Sequence, residues 1–176
     1  MSTAVRPMPA SQYDRSIQIA TATLLPTHYD WRLLKSQYWQ ESRFKQFAES
    51  PVGALGIAQF MPATWADVAR DMHLPKGAKP TEVKHAINAG AFYMNKLYNI
   101  WTAPRPDMDR ICLALASYNA GAGNLLKAQR KALGAGSYRD IVAHLHQVTG
   151  IDNSRETINY VDRILRVWVL DIVKHP

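Results

Sequence analysis

Apolar residues recur along most of the chain at spacings of three and four, which is the pattern of helices with one buried face. In residues 29–41 this stripe contains Trp31, Leu34 and Tyr38. The pattern predicts helices over residues 29–41, 62–72, 81–101, 107–118, 124–133, 138–148 and from 152–154 to about 173. Alternation with a period of two is nearly absent, so we expect a mostly α fold with at most a short β-hairpin near residues 49–60.

Residues that start or interrupt helices support these boundaries. Pro62 suits a first helical turn, and Thr81 is placed to cap the helix that follows it. Ser137, with Asp140 three residues later, is close to a capping box. Residues 49–59 contain one proline and two glycines, so they are expected to form a structured loop and not a helix.

The composition is that of a folded globular domain with a basic surface. The 176 residues are 47% hydrophobic and 20% charged. Lysine and arginine total 21 against 14 acidic residues, which gives a formal net charge of +7. Such a surface favours anionic partners, namely nucleic acid, anionic lipid or an acidic envelope polymer. Composition alone does not choose among the three.

Disulfides, metal centres and membrane spans are not expected. Cys112 is the only cysteine and lies in an apolar run, which predicts a buried helical thiol and excludes a cysteine zinc site. The six histidines are scattered. No apolar run reaches the ~18 residues of a membrane span, so stable membrane insertion is not expected. The first residues lack the apolar stretch of a signal peptide, so we expect synthesis in a cytoplasm without export by the usual route.

Glu41 is the strongest single candidate for chemistry. It falls at the end of a predicted helix, among bulky apolar residues and directly before the glycine-containing loop. A carboxyl group that is desolvated in such surroundings has a raised pKa and can donate a proton near neutral pH. Because most glutamates at helix ends are simply solvated, the assignment depends on the segments that accompany Glu41.

Those segments follow Glu41-Ser42 in a fixed order. They are Ser50 with G-A-L-G-I-A-Q at 53–59 and M-P-A-T at 61–64, then Y-N-A-G at 118–121, then E-T-I-N-Y-V at 156–161. In order, residue type and spacing they resemble the soluble lytic transglycosylase domain of the lysozyme-like superfamily. The resemblance covers residues from about 28 to 170. One short motif would be weak evidence, whereas four in the same order are specific.

The resemblance implies a role for each matching residue. Glu41 is the expected single catalytic acid and base. Ser50 and Gln59 are expected to line the cleft beside the sugar that is cleaved, and Met61 to form an apolar wall of that cleft. Gly53 and Gly56 are also needed for backbone freedom in the turn.

The later motifs are expected to contribute substrate-binding residues. Tyr118 and Asn119 resemble a family pair in which the tyrosine packs and hydrogen-bonds near the acid. Tyr160 resembles a tyrosine whose hydroxyl group approaches the catalytic carboxyl group. Glu156 lies four residues earlier on the same helix face and resembles a supporting acid that binds substrate or braces the cleft. Each residue also admits a structural interpretation, as core aromatic, helix terminus or ion-pair partner.

Two positions depart from the family pattern. Ala58 stands where a methionine usually precedes the motif glutamine, and Ser117 stands where an alanine usually precedes Tyr118. Both departures affect the expected details of the subsites and not the acid.

The implied reaction cleaves the β-1,4 bond between N-acetylmuramic acid and N-acetylglucosamine in peptidoglycan and forms a 1,6-anhydromuramoyl end. It needs no metal and no organic cofactor, since one carboxyl group performs both proton transfers. Residues 1–27 are expected to form an N-terminal arm with a short helix, and residues 28–174 the catalytic domain.

Three other interpretations stay open. A goose-type hydrolysing muramidase would need an aspartate to position water, and Asp67 or Asp71 follows the loop without a motif that links either to Glu41. A non-enzymatic wall-binding or virion structural module would leave the motifs unexplained. Nucleic-acid binding rests only on the net charge, because no recognised binding motif is present, and it is not expected.

The preferred biological setting is that of a bacteriophage endolysin, and a virion-associated enzyme or a bacterial secretion-system transglycosylase are the alternatives. An endolysin waits in the host cytoplasm until the inner membrane is opened and then acts on the cell wall. Its expected partners are peptidoglycan glycan strands and other anionic envelope components, and it is expected to be monomeric.

Overall fold

The computed structural model describes residues 11–174, so the first ten residues of the N-terminal arm expected over residues 1–27 lie outside the described part of the chain. The described residues form nine helices. They are α1 (Asp14–Leu24), α2 (Trp31–Ser42), α3 (Pro62–Asp71), α4 (Val83–Ile100), α5 (Asp107–Ala120), α6 (Ala122–Lys131), α7 (Tyr138–Ala143), α8 (His146–Thr149) and α9 (Ile151–Lys174). The predicted mostly helical fold is confirmed.

The hairpin that the sequence allowed is reduced to two isolated antiparallel bridges. Leu55 pairs with Glu49 on one side and with Phe60 on the other, and within residues 11–174 no longer strand pairing occurs. The N–H group of Gly56 donates to the carbonyl oxygen of Ala48 at 2.9 Å. The loop is therefore held by a few specific backbone hydrogen bonds instead of a regular ladder.

Three of the predicted helices differ at their boundaries. The helix predicted over residues 124–133 is α6, which begins at Ala122, includes Gly123 and ends at Lys131. Thr81 does not stand directly before a helix, because α4 begins at Val83 and Thr81 lies in the preceding turn. That turn is closed locally, since the carboxylate of Glu82 accepts a hydrogen bond of 2.6 Å from the N–H group of Lys79. The helix predicted over residues 138–148 is divided into α7 and α8, with His144 at the end of α7.

The start of α7 and the break between α8 and α9 show how local sequence determines helix boundaries. The hydroxyl oxygen of Ser137 accepts a hydrogen bond of 3.1 Å from the N–H group of Asp140, which confirms the predicted cap of α7. Gly150, with φ of 85°, follows the last residue of α8. Because this backbone conformation suits glycine, α8 stops there and α9 starts at Ile151, slightly earlier than predicted.

The described chain divides into two compact units. The first contains the described residues up to Tyr93 together with those from Ile164 onward, and the second contains residues 94–163. The boundaries between the units fall within α4 and α9.

Helix α2 is the central element of the first unit. Residues 33–38 are all buried, including Leu34 and Tyr38 at 0% exposure. At the start of the helix, Asp30 accepts hydrogen bonds from the N–H group of Arg32 at 2.8 Å and from the indole N–H of Trp168 at 3.1 Å. The carboxylate therefore caps α2 and also fixes a residue of α9 against it.

An ion pair between a buried lysine and a half-buried aspartate joins α1 to α2. Lys35 is 2% exposed, and its ammonium group lies 2.9 Å from the carboxylate of Asp14. A lysine at this depth needs a charged partner, because desolvation of an unpaired ammonium group is costly.

The core of the second unit is built on α5. Residues 111–117 are buried without interruption. Burial raises the pKa of the Cys112 thiol to about 12, which fits the buried helical thiol predicted from the sequence. Ser117 is fully buried, and its hydroxyl oxygen accepts a hydrogen bond of 3.3 Å from the indole N–H of Trp101. The serine at this position therefore supplies the acceptor that a buried tryptophan requires.

No helix within residues 11–174 combines the length and the apolar character that crossing a membrane requires.

The contact between α2 and α4 in the first unit generates the first prediction. A Cβ atom at Gly90 would lie 2.4 Å from the Tyr38 hydroxyl oxygen and 2.8 Å from its ring carbon Cε1. That hydroxyl group is fixed by donating a 2.7 Å hydrogen bond to the carbonyl oxygen of Ile87. Gly90→Ala should therefore lower the free energy of unfolding in urea by about 1–3 kcal/mol, the usual cost of overpacking a core.

Gly123→Ala is the matched control, because Gly123 lies in α6 and a Cβ there meets nothing within 4 Å. This change should raise the free energy of unfolding by about 0.5–1 kcal/mol, since alanine is the better helix former. Equal stabilisation by both changes would contradict the close packing of α2 against α4.

Candidate active site

The site in the first unit is built around the last turn of α2, where Glu41 is the penultimate residue. Its side chain is half-buried. The helix ends there because Arg43 and Phe44 adopt left-handed backbone conformations, with φ of 55° and 60°. The carboxyl group therefore stands directly before a break in helical geometry, on a helix whose residues 33–38 are buried.

Glu41 also has an electrostatic link to that core. Burial raises the pKa of Tyr38 well above its ordinary value, and both Tyr29 and the charge of Glu41 add to the shift. A negative charge at Glu41 is thus felt by a buried phenol one turn earlier on the same helix.

The end of α2 is tied to the following loop by Ser42. This side chain is 7% exposed, and its hydroxyl group donates a 2.9 Å hydrogen bond to the carbonyl oxygen of Ile57. Because Ser42 follows Glu41 directly, the bond fixes the carboxyl-bearing turn against the loop. The sequence contains Ser42 as part of its first motif, but its partner 15 residues later is visible only in the structure.

Ser50 organises the near part of the loop. Its N–H group donates to the carbonyl oxygen of Ala54, and its hydroxyl oxygen accepts from the N–H group of Ala54, both at 2.9 Å. Gly53 supplies the positive φ of 85° that this turn needs. The Ser50 hydroxyl group therefore has a structural function in the loop, with its own proton still available for donation.

Gly56 lies where no other residue fits. Its φ is 78°, and an added Cβ atom would lie 2.0 Å from the carbonyl oxygen of Pro80. The requirement is both conformational and steric, because the loop passes directly against the backbone of another segment of the first unit.

Gln59 is locked into the loop by one end of its amide. Its Nε2 group donates to the carbonyl oxygens of Gly56 at 2.9 Å and Ala48 at 3.2 Å, and its backbone has φ of 49°. The two carbonyl acceptors fix the orientation of the amide, so its Oε1 atom is the end left for a ligand. Met61 stands directly before α3, and 42% of its surface is exposed.

The second unit contains the other four predicted residues. Tyr118 is half-buried near the end of α5, and Tyr160 is buried in α9. Asn119 is exposed, and its Oδ1 atom lies 2.8 Å from the hydroxyl group of Thr157. Glu156 is exposed one turn before Tyr160. Asn119 near the end of α5 and Glu156 near the start of α9 therefore lie close to each other, since Thr157 directly follows Glu156.

Asn119 and Glu156 line a cavity of about 310 Å³ in the second unit. Its walls are mostly polar and comprise Asn119, Ala120, Asn124, Val148, Thr149, Asn153, Glu156 and Thr157. We call it the polar cavity. The alternative interpretation of Glu156 as an ion-pair partner of Arg155 or Arg163 is not supported: within the described residues Arg155 lies 3.7 Å from Asp152, and Glu156 has no salt bridge.

Several lining residues were missed by sequence reasoning. Asn153 lies three residues before Glu156 and four before Thr157, so its place on the same helix face as both could have been found from the spacing alone. Asn124 lies on a different helix, α6, and its inclusion depends on tertiary packing. Within residues 11–174 no three His, Cys, Asp or Glu side chains are grouped as a metal site requires.

A sequence model of one family, described as the transglycosylase SLT domain, matches residues 18–141. The chain belongs to this family. A relative from Shewanella frigidimarina, named membrane-bound lytic murein transglycosylase F, is 31% identical over 159 residues, which cover 80% of this chain and 32% of the relative. This SLT domain chain therefore spans about a third of the length of the curated relatives it matches.

Solved structures show the same fold. The 70 kDa soluble lytic transglycosylase of Escherichia coli matches 93% of this chain and 24% of its own, with a TM-score of 0.73 and 22% identity. An inactive mutant of lytic transglycosylase Slt from Pseudomonas aeruginosa, in which one glutamate is replaced by glutamine, matches 95% of this chain and 25% of its own, with a TM-score of 0.71 and 23% identity. The SLT domain chain accordingly has the lysozyme-like fold expected from its motifs.

The second prediction concerns the two hydrogen bonds that the Gln59 amide donates within the loop. Gln59→Glu keeps the size of the side chain but directs a carboxylate at the carbonyl oxygens of Ala48 and Gly56. The change should lower the free energy of unfolding by about 1–3 kcal/mol at pH 7, because two acceptors lose their donor and face a charge. The carbonyl oxygens raise the pKa of the new carboxyl group in the folded state, so the loss should shrink as the pH falls towards 4.

Gln12→Glu is the control, since Gln12 is exposed and the same charge is added. It should change stability by less than about 0.5 kcal/mol at either pH. If denaturant unfolding finds the two variants equally stable at pH 7, the Gln59 amide does not hold the loop.

Proposed function

We propose that this SLT domain is a peptidoglycan lytic transglycosylase in which Glu41 acts as the single acid and base. The observation that carries the proposal is the hydrogen bond from Ser42 to Ile57, which joins the carboxyl-bearing end of α2 to the loop that contains Gln59. The names of the relatives, lytic murein transglycosylase F, and the inactive glutamate-to-glutamine mutant of a structural neighbour support this function.

In the proposed reaction, protonated Glu41 donates its proton to the glycosidic oxygen between N-acetylmuramic acid and N-acetylglucosamine. The bond from that oxygen to the muramoyl C1 atom breaks, and the neighbouring N-acetyl carbonyl group stabilises the positive charge at C1. The Glu41 carboxylate then removes the proton of the C6 hydroxyl group, whose oxygen bonds to C1. The 1,6-anhydro ring closes without water, and Glu41 returns to its protonated form.

The other predicted residues are proposed to bind substrate. Gln59 would accept a hydrogen bond through Oε1 from a sugar hydroxyl or acetamido N–H group, because its Nε2 group is committed to the loop. Ser50 retains a hydroxyl proton to donate, and Met61 offers an exposed apolar surface. For Tyr118, Asn119, Glu156 and Tyr160 we propose contributions to substrate binding, with Asn119 and Glu156 acting from the polar cavity.

Glu41→Gln should reduce the release of soluble fragments from purified sacculi by at least about a hundredfold, the usual size of a general acid–base contribution. Glu49→Gln is the matched control, because Glu49 is an exposed acidic residue of the adjacent loop. It should retain activity within about twofold. Near-full activity of Glu41→Gln would refute the acid assignment, and inactivity of Glu49→Gln would favour a mechanism with two carboxylates.

We further propose that the domain acts as a monomer in an endolysin, which resides in the host cytoplasm until the inner membrane opens. A formal charge of +7 supports action on an anionic envelope. Expression in a host should then leave cells intact until a membrane-permeabilising partner is added. Rapid lysis on expression alone would contradict this setting without affecting the assignment of Glu41.

A further inference from the structure

A second cavity in the second unit is lined by positive charge. Lys127, Arg130 and Lys131 extend from α6, and Gln147 and Val148 of α8 complete the walls of a space of about 420 Å³. We call it the cationic cavity. All three cationic residues are exposed, and the lining contains no acidic side chain.

The three charges are not neutralised by the described protein. Within residues 11–174, none of the three forms a salt bridge or a side-chain hydrogen bond. Lys127 is three residues from Arg130 and four from Lys131, spacings at which like charges on a helix repel. Arg130 and Lys131 lie in the last turn of α6, where the helix dipole favours cations, but Lys127 lies a turn earlier. The dipole therefore does not explain the whole group.

The position of the cationic cavity suggests which anion it takes. Val148 lines both this cavity and the polar cavity that contains Asn119 and Glu156. A ligand that occupies both would have an uncharged polar part joined closely to an anionic part. A glycan strand with peptide stems has this chemistry, since the sugars carry hydroxyl and acetamido groups and the stems carry carboxylates.

We propose that Lys127, Arg130 and Lys131 bind the carboxylate groups of the peptide stems, so that this domain prefers stem-bearing glycan to naked glycan. The proposal rests on the proposed function and names a specificity determinant for it. A phosphate-bearing envelope polymer would also satisfy the charge. The stem is favoured because it is attached to the muramoyl sugar itself, as the shared wall at Val148 requires.

The test compares two substrates made from the same sacculi, one intact and one from which an amidase has removed the stems. The wild type should show a kcat/KM at least about tenfold higher on the stem-bearing glycan, the size expected of a few solvent-screened charge contacts. The triple variant Lys127→Gln, Arg130→Gln and Lys131→Gln should bring that ratio close to one. Its kcat/KM on naked glycan should stay within about twofold of the wild type.

A charge-matched control separates a local site from general attraction to an anionic wall. The triple variant Lys76→Gln, Lys79→Gln and Lys84→Gln also removes three exposed charges, all from the first unit. It should leave the substrate ratio unchanged. The proposal is overturned if the control variant lowers the substrate ratio as much as the Lys127, Arg130 and Lys131 triple variant does, or if that triple variant keeps the wild-type ratio. It is also overturned if removing phosphate polymers from the sacculi, with the stems left in place, lowers kcat/KM as removal of the stems should.

Two further measurements keep the outcome decisive. Thermal unfolding verifies that both triple variants fold. If the α6 triple variant does not fold, the single variant Lys127→Gln replaces it, and this change should lower the ratio of kcat/KM on stem-bearing glycan to kcat/KM on naked glycan partway towards one. If the wild type cleaves neither substrate, the proposed function has failed by itself. Equilibrium binding of the wild type to the two glycans then tests the cationic cavity, and equal affinity for both would overturn its assignment.

Discussion

The hydroxyl group of Ser42 donates a hydrogen bond to the carbonyl oxygen of Ile57, and the placement of Glu41 against the loop depends on that bond. It connects the rigid end of α2 to a loop that has almost no regular structure of its own. Glu41 precedes Ser42 directly, so its carboxyl group is presented at the junction of the two. Preorganisation of this kind is what acid–base catalysis requires, because a proton must be transferred in a fixed geometry.

The junction is effective because both of its parts are themselves held in place. Helix α2 is anchored by polar contacts along its length, from the Asp30 cap through the Lys35–Asp14 ion pair to the buried hydroxyl group of Tyr38. The loop is held by its own short-range hydrogen bonds, and it is wedged against Pro80 at a position that only glycine can occupy. Polar groups with a structural function therefore hold both the helix that carries Glu41 and the loop that follows it.

How much of this could be predicted depends on the range of the interaction. Helical periodicity was sufficient for α2 and α9, because their apolar residues recur at spacings of three and four. Residues 111–117 of α5 are all buried, and that helix was predicted from the prolines before it and the glycines after it. The loop was predicted from its glycines, but the contact of Gly56 with Pro80 was not, since nothing local records a neighbour 24 residues away. The same applies to the partner of Ser42 and to the left-handed conformation of Gln59, which a glutamine does not suggest.

The net charge alone does not identify a partner, and the positions of the charged residues are needed for that. A formal charge of +7 admits several classes of anionic partner. The three unpaired cations of α6 concentrate part of it at a cavity that shares a wall with the polar cavity of the second unit. We therefore interpret the basic character as directed partly towards the substrate itself and not only towards the envelope in general.

The central claim is that one carboxyl group transfers a proton in both directions without the participation of water. The most direct measurement is mass spectrometry of the fragments that the wild-type domain releases from purified sacculi, before and after borohydride treatment. The account predicts muramoyl ends lighter by one water than hydrolysis products and resistant to reduction. Fragments with the full mass of added water and a reducible muramoyl end would contradict it.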